Sequence, residues 1–354
     1  FFSGNLNHFI NYRIEMELQG SDQKKLVDAY GESTVHKNLV LRFGQFKEPF
    51  SLEWQARNSA IYFVERSMGY HLTPKRDVGV MLHQRLLKNS MDCFLGLFNG
   101  DGIDGSSRGG QSDEPELAGR LIFRPFIIMP CSWLKSFQIG GSGTHAHIDL
   151  TNVNLEVQST GMAGTNRNIY VFNANTKFGV LKGVRRRQRW ALESAWVLRG
   201  MAVQGEYIHF RYTDLEPSGG VPQDGEFSSW YASTLFCLTG ESFEMKDGRL
   251  NPIRPRKDFD PESGTYGAFV FALRIEHFTG DETWITKNAF VSVRESDSYS
   301  VAMNWILTPA FRLIMDYTFT NLSDPIRVRV NTKDGSIDYI EEEHVITARF
   351  YLSF

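Results

Sequence analysis

The closing stretch of the chain, Glu343 to Phe354, reads EHVITARFYLSF and alternates without a break. Ile346, Ala348, Phe350, Leu352 and Phe354 share one side. Val345, Thr347, Arg349, Tyr351 and Ser353 share the other. A β-strand turns successive side chains to opposite faces, so this strand has one wholly apolar face and one that carries a charge. A strand of this kind sits where two phases meet. It can edge a soluble sandwich or form one stave of a membrane barrel, and the upstream pattern decides between them.

The same alternation runs upstream. In 10–18, Ile10, Tyr12, Ile14, Met16 and Leu18 oppose Asn11, Arg13, Glu15 and Glu17. Further strong strands are expected at 39–47, 117–124, 185–197, 267–277 and 311–319. Weaker ones are expected at 25–34, 77–86, 90–98, 133–142, 166–174, 201–211, 228–239, 284–294 and 299–307. No apolar window is long enough for a transmembrane helix. The mean hydropathy is −0.30, as expected when lipid-facing and lumen-facing residues alternate and cancel. The 27 Phe, 13 Tyr and 7 Trp suit aromatic girdles at two membrane interfaces. An Arg on the lipid face at mid-bilayer costs about 2–4 kcal/mol, and in the clearest strands each Arg lies opposite the aromatic stripe. Arg186 breaks this rule and must lie near an interface. The fold expected is therefore all-β, a transmembrane antiparallel up-and-down barrel of about 16 strands. It makes one domain over 1–354 in a bacterial outer membrane.

Connections fall into short ones (87–90, 125–132, 198–201, 308–310) and long ones (47–76, 99–116, 143–165, 240–264, 321–342). Barrels of this kind have short periplasmic turns and longer outside loops. The segment 47–76 stands out. It carries Lys47, Arg57, Arg66, Lys75 and Arg76 together with Leu52, Trp54, Ile61, Phe63, Val64 and Met68. Its aromatic content favours a loop folded inward as a constriction over a surface loop with compensating charges. The wall adds Arg13, Arg42, Arg120, Arg124, Arg187, Arg189, Arg274, Arg312 and Arg349, with Glu15, Glu17, Glu193, Glu206, Glu276 and Asp316 as acidic companions. Such arginines either steer anions through the lumen or pair across strands and fill the wall, and the pattern leaves both readings open. Guanidinium forks suit phosphate.

Other chemistries lack a signature. Net charge is −3, which gives no support for nucleic-acid binding. Cys93, Cys131 and Cys237 form neither a metal pattern nor a disulfide framework. No HExxH, GxSxG, P-loop or dinucleotide fingerprint occurs, so no enzyme activity, cofactor or metal is expected. His145 and His147 lack a third ligand and read as a solvent-facing loop pair. Asn99–Gly105 departs from a calcium loop at Ile103 and Gly110. The chain opens on Phe1-Phe2-Ser3 without a signal-peptide pattern, as expected of a mature or truncated chain.

Several stretches in order carry a family resemblance. They are LRFGQFKEPFSLE (41–53), Glu65-Arg66, RDVGVML (76–82), GLFNGDG (96–102) and DEPELAGRLIFRPF (113–126). ESAWVLRGMAVQGEY (193–207), LTGE (238–241), GTYGAFVFALRIE (264–276), MNWILTPAFRLIMDYT (303–318) and the terminal strand follow. The series resembles the phosphate-selective porins O and P over almost the whole chain. The resemblance implies a 16-stranded outer-membrane barrel, a homotrimer among lipid and lipopolysaccharide, and loops folded inward to narrow the pore. It also implies a further Arg-rich strand segment ahead of Phe1. The function expected is passive diffusion of small solutes, with phosphate or other small anions favoured. A closed structural barrel that docks protein partners through loops 240–264 and 321–342 is the alternative from another class.

Overall fold

The computed structural model describes residues 2–7, 9–17, 25–100, 102, 114–130, 133–148, 154–161, 168–173, 181–183, 185–217, 221–285, 292–330 and 337–353. Its strands in chain order are β1 (Phe2–Asn5), β2 (Ile10–Glu17), β3 (Lys25–His36), β4 (Leu39–Lys47), β5 (Arg76–Leu86), β6 (Met91–Phe98), β7 (Glu116–Phe123) and β8 (Gln138–His147). There follow β9 (Asn154–Gln158), β10 (Asn168–Asn173), β11 (Leu181–Gly183), β12 (Arg186–Leu198), β13 (Met201–Pro217), β14 (Gln223–Cys237), β15 (Met245–Lys246) and β16 (Arg249–Leu250). The last four are β17 (Ala268–Thr279), β18 (Glu295–Ile306), β19 (Phe311–Val330) and β20 (Ile337–Leu352). One 16-stranded sheet runs β1 to β8, then β12, β13, β14, β17, β18, β19 and β20, with β11 added to β13. Neighbours in this path are antiparallel and mostly adjacent in sequence, as up-and-down staves are.

The sheet's continuous path has 15 strands and reaches the expected 16 only with the off-path β11, and its members differ from those expected. Residues 168–173 pair only with β9, in a separate two-stranded sheet. Part of the expected strand 284–294 lies outside the described residues, and β18 begins only at Glu295. The expected strand 133–142 starts at Gln138 and runs on to His147, so His145 and His147 sit on a strand and not in a loop. Much of the expected loop 321–342 is strand, because β19 and β20 extend beyond the neighbouring strands. Cys131 and most of Asn99–Gly105 lie outside the described residues.

With these changes most of the short turns gather at one end. Turns 37–38, 87–90, 199–200 and 307–310 all lie at one end of the sheet. The segment 48–75 lies at the other end with 99–115 and 148–185. The connection 238–267, expected among the outer loops, is at the short-turn end. Short turns mark the periplasmic end of an outer-membrane barrel.

Side chains obey the alternation. On β17, Val270, Ala272, Arg274 and Glu276 are buried, while Leu273 and Ile275 are exposed on the opposite face. The inward face of β18 is small, with Ser296, Ser298, Ser300 and Ala302. Ser298 and Ser300 exchange hydroxyl hydrogen bonds with Thr320 and Thr318 at 2.8 and 2.9 Å. That small face leaves room for other chain inside the curve of the sheet, and the segment 48–75 occupies it. Phe50, Met68 and Leu72 pack with Ile208, Phe210, Phe227 and Phe278. Tyr62 and Phe63 pack with Ala268, Ala272 and Ala302. Each fully buried side chain of this size contributes roughly 1.5–3 kcal/mol. The segment touches β8 through Ser142 and β20, the sheet's edge, through Arg349. One segment reaches both only if the sheet curls around it.

Candidate functional site

Wall carboxylates hold the backbone of 48–75 by its N–H groups. Glu206 of β13 accepts from Leu52 N at 2.5 Å and Glu53 N at 2.9 Å, where Ser51 caps a single helical turn, α1 (Leu52–Gln55). Glu276 of β17 accepts from Met68 N at 2.7 Å, and Asp316 of β19 from Val64 N at 2.7 Å. Wall arginines take the carbonyls. Arg312 donates to Ser59 O at 3.0 Å and Ile61 O at 2.6 Å. Arg274, fully buried, donates to Glu65 O at 3.2 Å and lies 4.2 Å over the Phe63 ring. Hydrogen bonds to charged groups contribute about 1.5–3 kcal/mol each, so the segment is firmly fixed.

The other expected arginines divide by surroundings. Arg120 makes a two-pronged pair with Glu193, at 2.9 and 2.6 Å, and donates to Gly248 O at 3.0 Å. Arg187 and Arg189 share the buried Glu116 at 2.5 and 3.1 Å, with Arg187 buried and Arg189 partly so. Arg124 pairs with Asp92 at 2.5 Å at the short-turn end. Arg66 donates to Ala56 O and to the Asn58 side chain, at 3.2 and 3.0 Å. Arg186 starts β12 at the sheet's long-loop end and is exposed, as an interfacial arginine should be.

A different set faces open space. A cavity of about 400 Å³ is lined by Arg13, Arg42, Lys47, Arg57, Arg76, Arg249 and Arg254, with only Glu15 and Asp28 as carboxylates. It also touches Tyr351 and Ser353 of the sheet's last staves, so residues from both edges of the sheet meet around it. A second cavity of about 300 Å³ shares Tyr30, Arg42, Gln55, Arg57 and Arg249 with the first. A third, about 260 Å³, lies against Glu65, Arg66, His71 and Arg349 and shares Asn58 with the first. Arg42 pairs with Glu32 at 2.6 Å and Arg76 with Asp28 at 2.7 Å. Arg57, Arg249 and Arg254 make no ion pair among the described residues. Burial and the nearby Arg57 push the Arg249 guanidinium down, with Arg42 adding to this and Asp247 opposing it.

A second concentration of charge surrounds Trp54. Lys47 lies 4.4 Å, Arg76 5.4 Å, and Arg66 and Lys75 5.8 Å from its ring. Lys75 also sits 3.6 Å over Tyr70. Each such contact is worth about 0.5–2 kcal/mol. The Lys75 side chain is exposed, and its ammonium donates to Tyr70 O at 3.0 Å. Loss of water around the ammonium, with Arg189 and Arg66 nearby, pushes it down to about 7.

Arg249 and Arg254 were not among the residues singled out in the sequence. They arrive on the 238–267 connection, which folds inward as the hairpin β15–β16. A legible signal was present: Asp247-Gly248 is a two-residue hairpin turn that needs positive φ at both positions, and it has φ of 51° and 70°. A Cβ on Gly248 would lie 1.9 Å from the Ile122 side chain of β7, which would have to move, and the positive φ also favours glycine there.

The family model for phosphate-selective porin O and P matches residues 2–354. The chain belongs to that family. It is thus an outer-membrane porin, a β-barrel for passive diffusion, and the porin's solved neighbours agree in fold. OmpT of Vibrio cholerae, in its trimer form, is 10% identical, with 99% of this chain and 88% of that one covered at a TM-score of 0.51. The outer-membrane channel DcaP of Acinetobacter baumannii is 10% identical, with 99% and 83% covered at 0.52. Salmonella typhi OmpF, in complex with daunomycin, is 10% identical, with 99% and 88% covered at 0.52. At such identity these likenesses speak for the fold alone. No curated protein matches by sequence.

Proposed function

We propose that this porin passes small anions, phosphate among them, by electrodiffusion through a lumen narrowed by 48–75 on one side and the β15–β16 hairpin on the other. The observation that carries the reading is the cavity in which Arg57, Arg249 and Arg254 stand without ion-pair partners among the described residues, beside Lys47, Arg42 and Arg76. A cationic surface inside low-dielectric walls concentrates anions. Guanidinium groups replace part of an oxyanion's hydration with donors in a planar fork. In this reading Arg42, Lys47, Arg57, Arg66, Lys75 and Arg76 act along the anion path. Arg120, Arg124, Arg187, Arg189, Arg274 and Arg312 hold the frame that presents them. The porin family name and the trimeric OmpT neighbour support phosphate as a solute and a homotrimer as the assembly. A closed scaffold is not favoured by the family.

Planar-bilayer recording tests the proposal. In a KCl gradient the reversal potential should report chloride preference, and added phosphate should reduce the chloride current. Cation preference would sink the anion reading.

A further inference from the structure

Among the outward-facing histidines near the long-loop end, His277 of β17 has distinctive partners. Its Nε2 lies 3.0 Å from Thr279 Oγ1, and its Nδ1 lies 2.8 Å from Asp297 Oδ1 on β18. Asp297 is directly across the ladder from His277, and Thr279 is two positions along the same face. His209 stands 3.8 Å from Glu226, and His344 bonds the Tyr317 hydroxyl at 2.8 Å. Neither brings a hydroxyl and a carboxylate to its two nitrogens. The order hydroxyl, imidazole, carboxylate is what general-base activation of an oxygen nucleophile needs, and both distances are within hydrogen-bond reach. With Asp297 accepting from Nδ1–H, Nε2 is left to accept the Thr279 proton.

All three side chains are partly exposed on the outer face of the sheet. Next to them, towards the short-turn end, the outward side chains are Ile275, Leu273, Tyr299, Val301 and Trp230, all exposed. Trp230 stacks beside His277 at 6.2 Å, and Tyr299 beside Phe319 at 6.2 Å. A second aromatic tier, Phe269 stacked on Trp305, lies at the other end of the same strands. Two such tiers mark the two membrane interfaces. His277 therefore meets the bilayer where acyl chains join their headgroups, the level of a lipid's ester carbonyls. The long-loop end makes that leaflet the outer one. Ser228 of β14 lies directly across from Thr279 on the same face. Its side chain has no hydrogen bond among the described residues, so its hydroxyl is free to donate to a developing oxyanion.

We propose that Thr279, His277 and Asp297 form a lipid-facing site that hydrolyses carboxylic esters of membrane lipids. Thr279 Oγ1 attacks the ester carbonyl carbon while its proton passes to His277 Nε2. The adduct collapses by breaking the bond to the alcohol oxygen, which takes that proton and leaves. Water then attacks the acyl-threonine in the same way, releases the carboxylic acid and restores the Thr279 hydroxyl. Asp297 stays ionised and orients the imidazole. The net change is ester plus water to acid plus alcohol. The site faces away from the anion path, so its test and that of the channel reading are independent.

The full-length porin in mixed micelles of detergent and phosphatidylethanolamine is assayed for fatty-acid release. A fluorophosphonate probe traps the nucleophile, and peptide mass spectrometry locates the adduct. Release is expected, with the adduct on Thr279. Thr279→Val should abolish both, and Thr279→Ser should keep both. His277→Gln should slow release about a hundredfold, the scale of general-base catalysis. Unchanged heat-modifiable gel mobility shows that each variant is folded. Should Thr279→Val misfold, His277→Gln carries the same test. No release by the parent porin, release that survives Thr279→Val or His277→Gln, or an adduct on another residue overturns the proposal. The three side chains would then be a cross-strand hydrogen-bond network that ties β17 to β18 and nothing more.

Discussion

Arg57 and Arg249 come from segments far apart in the chain, yet both line the same two adjoining cavities and neither has an ion-pair partner among the described residues. Two like charges here repel, and burial together with the nearby Arg57 pushes the Arg249 guanidinium down. A permeating anion relieves that repulsion, which makes these positions sensitive to substitution. At an effective dielectric of about 20 and a separation of several Å, one charge contributes roughly 1–2 kcal/mol. Arg57→Glu or Arg249→Glu should therefore lower the chloride-over-potassium permeability ratio at least fivefold in reversal-potential measurements. An unchanged ratio would place the selective region elsewhere. On the proposed anion path, Lys75 would give the lumen a pH dependence. Its ammonium, held near 7, is charged at pH 6 and largely neutral at pH 8. Anion preference should accordingly fall as pH rises across that interval. His71 is pushed down to about 3 by burial, with Lys75 adding to it, so it stays neutral throughout and does not contribute. Lys75→Arg should keep the preference and abolish its pH dependence. A slope that persists in Lys75→Arg would assign the titration to another group.

At the scale of elements, the segment 48–75 is held by charges in the wall, and this changes what an inward-facing arginine means. Arg274 is fully buried among Glu53, Glu276, the Glu65 carbonyl and the Phe63 ring. Arg274→Ala would leave two buried carboxylates uncompensated, a loss of about 3–5 kcal/mol. A lower heat-modification temperature with an unsteady single-channel current is the expected result, because the segment loses an anchor. A stable, quiet channel would show that the anchor is redundant. The alternation in 267–277 and 311–319 was enough to place Arg274 and Arg312 on the inward face, since period two leaves no other choice. It could not say whether that face met water or more protein. The answer depends on Glu65 and Ile61 folding back from residues more than two hundred positions away. The same blindness explains residues 168–173. They alternate as well as any stave, but only a partner strand decides which sheet a strand joins, and theirs is β9. The β15–β16 hairpin was legible as a turn at Asp247-Gly248, whereas its inward direction was set by the small inward faces it packs against.

At the scale of the whole molecule, a net charge of −3 gives no hint of a cationic cavity, and the structure shows why that average misleads. Carboxylates such as Asp338, Glu341 and Glu342 stand exposed at the long-loop end. Others, Glu116, Glu193, Glu206 and Glu276, are consumed inside the wall by arginines and backbone N–H groups. What remains facing the cavity of about 400 Å³ is mostly cationic. Charge is sorted by location, and an ion in the lumen responds to the local field, not to the sum. That field has a reach set by salt. The screening length is about 10 Å at 0.1 M and about 3 Å at 1 M. If selectivity comes from the combined field of Arg57, Arg249 and their neighbours, the permeability ratio should fall towards unity as both chambers of a bilayer cell are raised from 0.1 to 1 M KCl at a fixed concentration ratio. If it comes from direct guanidinium contacts to a partly dehydrated anion, screening by bulk salt acts on distances longer than those contacts and the ratio should hold. The cations come from β2, β4, β5, the segment 48–75 and the 238–267 connection instead of one tight ring. For chloride the dispersed cations make the first outcome the one expected, and a ratio that holds at 1 M would assign the selectivity to direct guanidinium contacts instead of the combined field.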